Sequence, residues 1–459
     1  MSTEIEATIP REQTLTTITR DELVARYAAG ERKFPHVDLS SVDLHNLDLN
    51  GIDLSGSCLR KAKLFNTNLE KAILNDCDLS NVFLSATKLS GVMARRANFQ
   101  SCRADKVVWK DIEFDKCRFD HAVFTSSQLT GISFRTAGML NVDFSNAKLE
   151  DIRFFGAFLN GSTWNKAELS HCRFNNARLE SADFGSAVIN NGKFEAALAK
   201  ASNWTGAKLT LCDFPDTQLQ SANFTQMTFD RGSFNGADLT AARFEEAVFT
   251  KGRFQRANLT QASFVKAQLN GTLLQQANLN RVNLSAADLK GVNFDGADLS
   301  MADVIDTHVD DATTFVTTKT IGVDFGTNWA LRQRVTDAAH QLTIRQFCKR
   351  HPMLGNLWWM FLGCGKRNYL LVFWGIAFVL LFAGLMAVSP ESFSFANKNP
   401  TFLDHCMNSL ALFVTLDFGV DRGVDTYGRC VMLTQMLLSY LMLGFMASLF
   451  SSIFPKSPE

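Results

Sequence analysis

The chain has no excess of charge of either sign: 46 Lys and Arg stand against 46 Asp and Glu, a formal net charge of zero. That balance argues against nucleic acid as a partner, which calls for a basic patch or stripe. The short motifs of catalysis are also missing. There is no GxxxxGK phosphate loop, no HExxH, no GxSxG and no cluster of acids and histidines at catalytic spacing, so neither an enzyme nor a cofactor is expected. Ten cysteines and eight histidines are present, but no CxxC pair occurs and the histidines are scattered, so a disulfide or zinc framework is not expected. With no recognisable signal peptide ahead of these thiols, an unoxidised, cytosolic location is expected for the part that carries them.

What the chain does have is a lattice. An apolar residue stands at every fifth position from Leu39 to Val309, on residue numbers ending in 4 and 9, and its only small occupants are Ala94, Ala104 and Ala199. Two residues earlier runs a second row of small or β-branched side chains, among them Val37, Ile52, Ala62, Val82, Ala122, Ala177, Ala237 and Ala297. Cys77, Cys102, Cys117, Cys172 and Cys212 fall in that second row and read as core fillers. A period of five matches neither the 3.6 of a helix nor the two of a flat strand. A strict short repeat of this kind implies stacked coils, each burying its apolar side on its neighbours.

The units AKLFN, ADFGS, ANFTQ, ADLTA, ANLTQ, ANLNR, ADLKG and ADLSM resemble the pentapeptide-repeat family and its A(D/N)Lxx unit. The resemblance implies a right-handed quadrilateral β-helix with four repeats per coil and both rows pointing inward. About fourteen coils at ~4.8 Å would make a rod on the order of 65 Å long. Some members of that family are thought to imitate DNA with a strongly acidic surface, and this rod is only slightly acidic, without a stripe of either sign. Before the lattice, Thr19 and Glu22 form a capping box ahead of Arg20–Ala29, and Gly30 supplies a stop. A short helix there would cover the open end of the coil. The expected domains are 1–36 (tail and capping helix), 37–313 (β-helix), 314–367 (linker, a helix from Trp329 to Arg350, and an interfacial segment) and 368–459.

The last region is expected to be membrane α. Tyr369 to Val388 and Val431 to Phe454 carry no charge and are each long enough to span the ~30 Å hydrocarbon core. Lys349, Arg350, Lys366 and Arg367 flank Trp358 and Trp359 before the first stretch, and Lys456 follows the second. The positive-inside rule then places both termini in the cytoplasm of a bacterial inner membrane protein. Between the stretches, Phe402 to Val414 is too short to cross and reads as a re-entrant pore helix, with Thr401 and Asp404 spaced as a capping box.

Span, half-helix, TLDFG and second span together resemble the two-span pore module of tetrameric cation channels. The resemblance assigns 402–419 to pore helix and selectivity filter, with Thr415, Leu416, Asp417, Phe418 and Gly419 as the filter. It also makes Asp421 a pore-mouth residue and Gly444 an inner-helix hinge or a close-packing contact. Four Asp417 carboxylates near one axis would attract sodium or divalent ions as readily as potassium. The function so implied is a homotetrameric cation channel of relaxed selectivity, with membrane lipid and permeating monovalent or divalent cations as partners. Its β-helix would regulate it or bind an unknown protein or ligand. The alternative is a non-conducting, membrane-anchored scaffold that binds a protein through the β-helix. No arginine-spaced voltage-sensing helix and no EF-hand loop is present, which disfavours gating by voltage or calcium.

Overall fold

The computed structural model describes residues 15–350, 352, 369–393, 401–415 and 424–453, without the side chains of 339–345, 347–348, 369–372, 413–415, 441–443 and 445–453. The chain divides into two compact units, Met1–Ala339 and His340–Glu459.

The first unit is a parallel β-solenoid. Bridges join residues twenty apart, as in Asp38↔Cys58, Cys58↔Asp78 and Asp78↔Asn98, and this register holds to Asp288↔His308. Four five-residue repeats therefore close one rung, and the next rung stacks on it through parallel main-chain hydrogen bonds such as Leu59 N to Asp78 O, 2.7 Å, and Lys63 N to Val42 O, 3.0 Å. On one face the pairing is regular enough to give a sheet of eight strands, from Val108–Lys110 to Val248–Thr250 in sequence order.

Each corner is a four-residue turn, for example Ala62 N to Leu59 O at 2.9 Å, whose third residue takes a positive φ, as at Lys61 with 58°. Asn and Gly suit that conformation, and at Gly131 (φ 69°) a Cβ would also collide with Asp111 Oδ1. The Asp or Asn of the repeat has a local task. Its carboxylate or amide oxygen accepts from the main-chain N–H two residues on, as Asp183 does from Gly185 N (3.0 Å) and Asp298 from Ser300 N (3.0 Å).

Both apolar rows point inward and are buried. The large row builds two columns of stacked rings on opposite faces. One includes Phe154, Phe174, Phe194 and Phe214, with centroids 4.5–4.8 Å apart. The other includes Phe144, Trp164, Phe184 and Trp204, at 4.1–5.3 Å. Across the axis the columns meet edge to face, as Phe174 and Phe184 do at 6.1 Å and 87°. Such pairs add about 0.5–1.5 kcal/mol beyond their area. At two of the three Trp positions the small row supplies the acceptor: Trp164 Nε1 donates to Ser162 Oγ and Trp204 Nε1 to Ser202 Oγ, both at 2.7 Å, whereas Trp109 Nε1 donates to Thr87 O at 3.1 Å. Other hydroxyls in the small row donate to a carbonyl of the preceding rung, as Thr67 does to Leu44 O and Thr217 to Phe194 O, both at 2.8 Å.

The ends are covered. Helix α1 (Arg20–Ala28) buries Leu23 on the first rung, and Thr19 Oγ1 accepts from Glu22 N at 3.2 Å. At the other end the coil continues past the five-residue phase. One extra residue after His308 shifts the bridge offset to twenty-one, in Asn293↔Thr314, Asp298↔Lys319 and Asp303↔Asp324. Phe315 stacks on Phe294 at 5.3 Å, and Leu331 and Val335 of α2 (Trp329–Arg350) bury on this last rung.

In the second unit, α3 (Tyr369–Val388), α4 (Phe402–Thr415) and α5 (Thr426–Ile453) pack on one another around Phe382, Met386, Leu412, Val431 and Met432. Thr401 Oγ1 and N both donate to Asp404 Oδ2, at 2.8 and 2.7 Å, so Asp404 makes its half of the α4 capping box. The transmembrane pore domain expected here is corrected. Among the described residues no helix is long and apolar enough to cross a membrane. Helix α5 carries Arg429 and the buried Gln435. Gln435 Nε2 donates to Ser409 O (2.8 Å) and Oγ (2.7 Å), so the apolar row hides a polar cross-link between α5 and α4.

The Trp–Ser pairing is testable. Ser162→Ala leaves a buried indole N–H without its acceptor and should cost about 1–3 kcal/mol in denaturant unfolding. Ser162→Ala/Trp164→Phe copies the Ala182/Phe184 arrangement of the next rung and should lose less than the sum of the two single changes; strict additivity would contradict the pairing.

Candidate functional site

The solenoid interior is filled by its two inner rows, so recognition has to use outward side chains. These come in columns, because each outward residue sits beside the one twenty positions away. On the face that carries Arg153 the central column reads Ser133, Arg153, Arg173, Lys193, Asp213, Ser233, Arg253, each bridged to the next. A parallel column two residues on reads Arg135, Phe155, Asn175, Glu195, Pro215, and the corner column reads Asp151, His171, Asn191, all three with φ of 54–56°. Arg153, Arg173, Lys193 and Asp213 of the central column, with the residues of the other two columns, line a groove of about 810 Å³, within the usual range of ligand sites.

The charges in the groove are unevenly matched. Lys193 Nζ pairs with Asp213 at 2.6 Å, and Arg253 approaches the same carboxylate at 3.8 Å. Asn175 Nδ2 donates to Glu195 Oε2 at 3.0 Å. Asn191 Nδ2 donates to His171 Nδ1 at 2.9 Å, which puts the imidazole proton on Nε2. Arg135 lies 5.3 Å from the ring centre of Phe155, a phenyl ring 43% exposed. Arg153 and Arg173, in contrast, have no side-chain hydrogen bond or ion pair among the described residues.

The residues expected to form an ion path fall mostly outside the described residues. Thr415 is the last residue of α4, and Leu416, Asp417, Phe418, Gly419 and Asp421 lie outside the described residues. Gly444 sits within the continuous helix α5, where an added Cβ would meet nothing within 4 Å. Without a membrane-crossing helix among the described residues, the cation channel loses its basis. So do the membrane-anchored scaffold, the lipid and permeating-cation partners, the homotetramer built round a pore and the multi-pass inner-membrane location. Among the described residues no group of three or more His, Cys, Asp or Glu could hold a metal ion.

The five thiols of the small row are buried, and burial pushes those of Cys77, Cys172 and Cys212 up to about 12. Cys102 and Cys117 shift in the same direction for the same reason. Cys77 Sγ donates to Leu54 O at 2.9 Å and Cys117 Sγ to Ala94 O, so these are packed, neutral thiols without nucleophilic character. The groove itself escaped sequence reasoning, which followed the period of five. The signal was present at period twenty, in Arg153, Arg173 and Lys193.

Comparison with known proteins agrees with the solenoid. A model described as pentapeptide repeat region matches residues 148–224 and 227–304, and one described as pentapeptide repeats (8 copies) matches 62–100, 72–108 and 117–154. Neither extends into the helical unit. No curated protein matches the sequence. Among solved structures, the chain is similar to HetL, a pentapeptide repeat protein involved in heterocyst differentiation regulation from the cyanobacterium Nostoc sp. The identity is 20% over 66% of this chain and 96% of that one, with a TM-score of 0.20. It is also similar to full-length QnrB1, a plasmid-mediated fluoroquinolone resistance protein, at 16% identity over 51% of this chain and 98% of that one, with a TM-score of 0.19.

The thiols give a pH test. A folded-state pKa raised above the ordinary thiol value of 9.0 means that the unfolded chain releases these protons first. Their contribution is therefore intact below about pH 9 and lost as pH rises toward 12. The melting temperature should fall across that window, and less steeply in Cys172→Ala/Cys212→Ala, which places the usual alanine in the row; an unchanged slope would contradict the assignment.

Proposed function

The chain belongs to the pentapeptide-repeat family, and from that premise we propose that it is a non-catalytic interaction rod. It recognises a partner molecule through columns of outward side chains, chiefly on the face that carries Arg153 and Arg173. The observation that carries this reading is the contrast between a solid interior and a groove of about 810 Å³ on the outer surface. A scaffold held by main-chain hydrogen bonds on every rung positions such columns before any partner arrives, which lowers the ordering cost of association.

Site-directed photo-crosslinking tests the reading. Half a rung, ten residues, separates the groove face from the opposite one, which carries the exposed Arg243. A benzoylphenylalanine placed at Pro215 in the full chain should give one discrete covalent adduct in cells, and the same probe at Arg243 should not. Adducts from neither position, or equally from both, would remove the assignment of the binding face.

A further inference from the structure

Resting on the interaction-rod reading, the geometry points to an acidic, extended peptide segment of a partner protein as the occupant of the groove, its carboxylates held by Arg153 and Arg173. The two residues are directly opposite one another on adjacent rungs. Like charges so placed on neighbouring strands oppose the stacking that holds the rod together. One step along the same column the problem is solved within the chain, where Lys193 meets Asp213 at 2.6 Å. No carboxylate does this for Arg153 or Arg173 among the described residues. Two unmatched arginines on main chains about 4.8 Å apart suit carboxylates, which each guanidinium fork can hold through two parallel hydrogen bonds.

The rest of the groove fits the same occupant. From the rung of Arg135 to that of Pro215 are four rung spacings, about 19 Å, the length of roughly six extended residues. The exposed Phe155 ring offers an apolar ledge beside the arginines, and His171 Nε2–H adds a donor at the corner.

Fluorescence anisotropy of fluorescein-hexaglutamate with the full chain tests this, with a fluorescein-labelled thymidine hexanucleotide as the second probe. Hexaglutamate should bind more tightly than the hexanucleotide, and its binding should weaken with added salt. Arg153→Gln and Arg173→Gln should each weaken it by about tenfold, whereas Arg243→Gln on the opposite face should leave it unchanged. Neither groove variant should melt lower than the parent, since each relieves a like-charge contact; a lower melting temperature would make these arginines structural and overturn the proposal. Equal hexaglutamate affinity in all three variants, or preference for the hexanucleotide, would overturn it as well. An adduct at Pro215 without hexaglutamate binding would remove the acidic peptide while the interaction rod stands.

Discussion

The twenty-residue register of parallel main-chain bridges is the constraint from which the rest of the solenoid follows. Once residue 58 lies beside 38 and 78 beside 58, every inward position stacks on its own kind and every outward position forms a column. The five-residue repeat satisfies that constraint four times per rung. It places a large apolar side chain and a small one inside, an Asp or Asn that holds its own turn, and a corner residue with positive φ. No single rung could bury its apolar residues alone. The N-terminal rung depends on α1 and its buried Leu23, and the C-terminal one on Leu331 and Val335.

The same register makes the surface unforgiving. In a helix or a twisted sheet a misplaced charge can turn toward solvent, but in a column a side chain has its counterparts ~4.8 Å above and below. Most of these columns settle their charges internally: Asn203 Nδ2 donates to Asp183 Oδ1 at 2.7 Å, and Asn258 Nδ2 to Asp238 Oδ1 at 3.2 Å. Against that background the adjacent, unmatched Arg153 and Arg173 mark a local conflict. Local conflicts in an otherwise consistent sequence tend to be where function resides.

The interior was legible in the sequence because it obeys one short period, and that period predicts the inward rows, the buried thiols and the need for caps. Two features were harder to read for physical reasons. The last rung survives an inserted residue because a corner near Asp310 absorbs it, Asp310 Oδ1 accepting from Gly291 N at 2.7 Å and from Ala312 N at 3.1 Å. A phase count stops at that insertion, but the hydrogen-bond ladder continues past it. The groove was hidden because its residues are scattered among polar positions at period five and become neighbours only at period twenty.

The helical unit shows the opposite failure, a pattern read too far. The uncharged run from Val431 to Phe454 reads as a membrane span by charge counting, which treats every uncharged side chain as apolar. Gln435, uncharged yet strongly polar, is buried with its amide on Ser409 O and Oγ, and Ser439 Oγ donates to Gln435 O at 2.8 Å. Apolar packing of Leu412 against Val431 and Met432 allows several helix registers of similar energy. A buried amide whose Nε2 donates to a single serine allows far fewer, because each alternative forfeits both of those hydrogen bonds. The sequence run therefore specifies how α4 and α5 sit against each other, a property that charge counts and hydropathy averages do not contain.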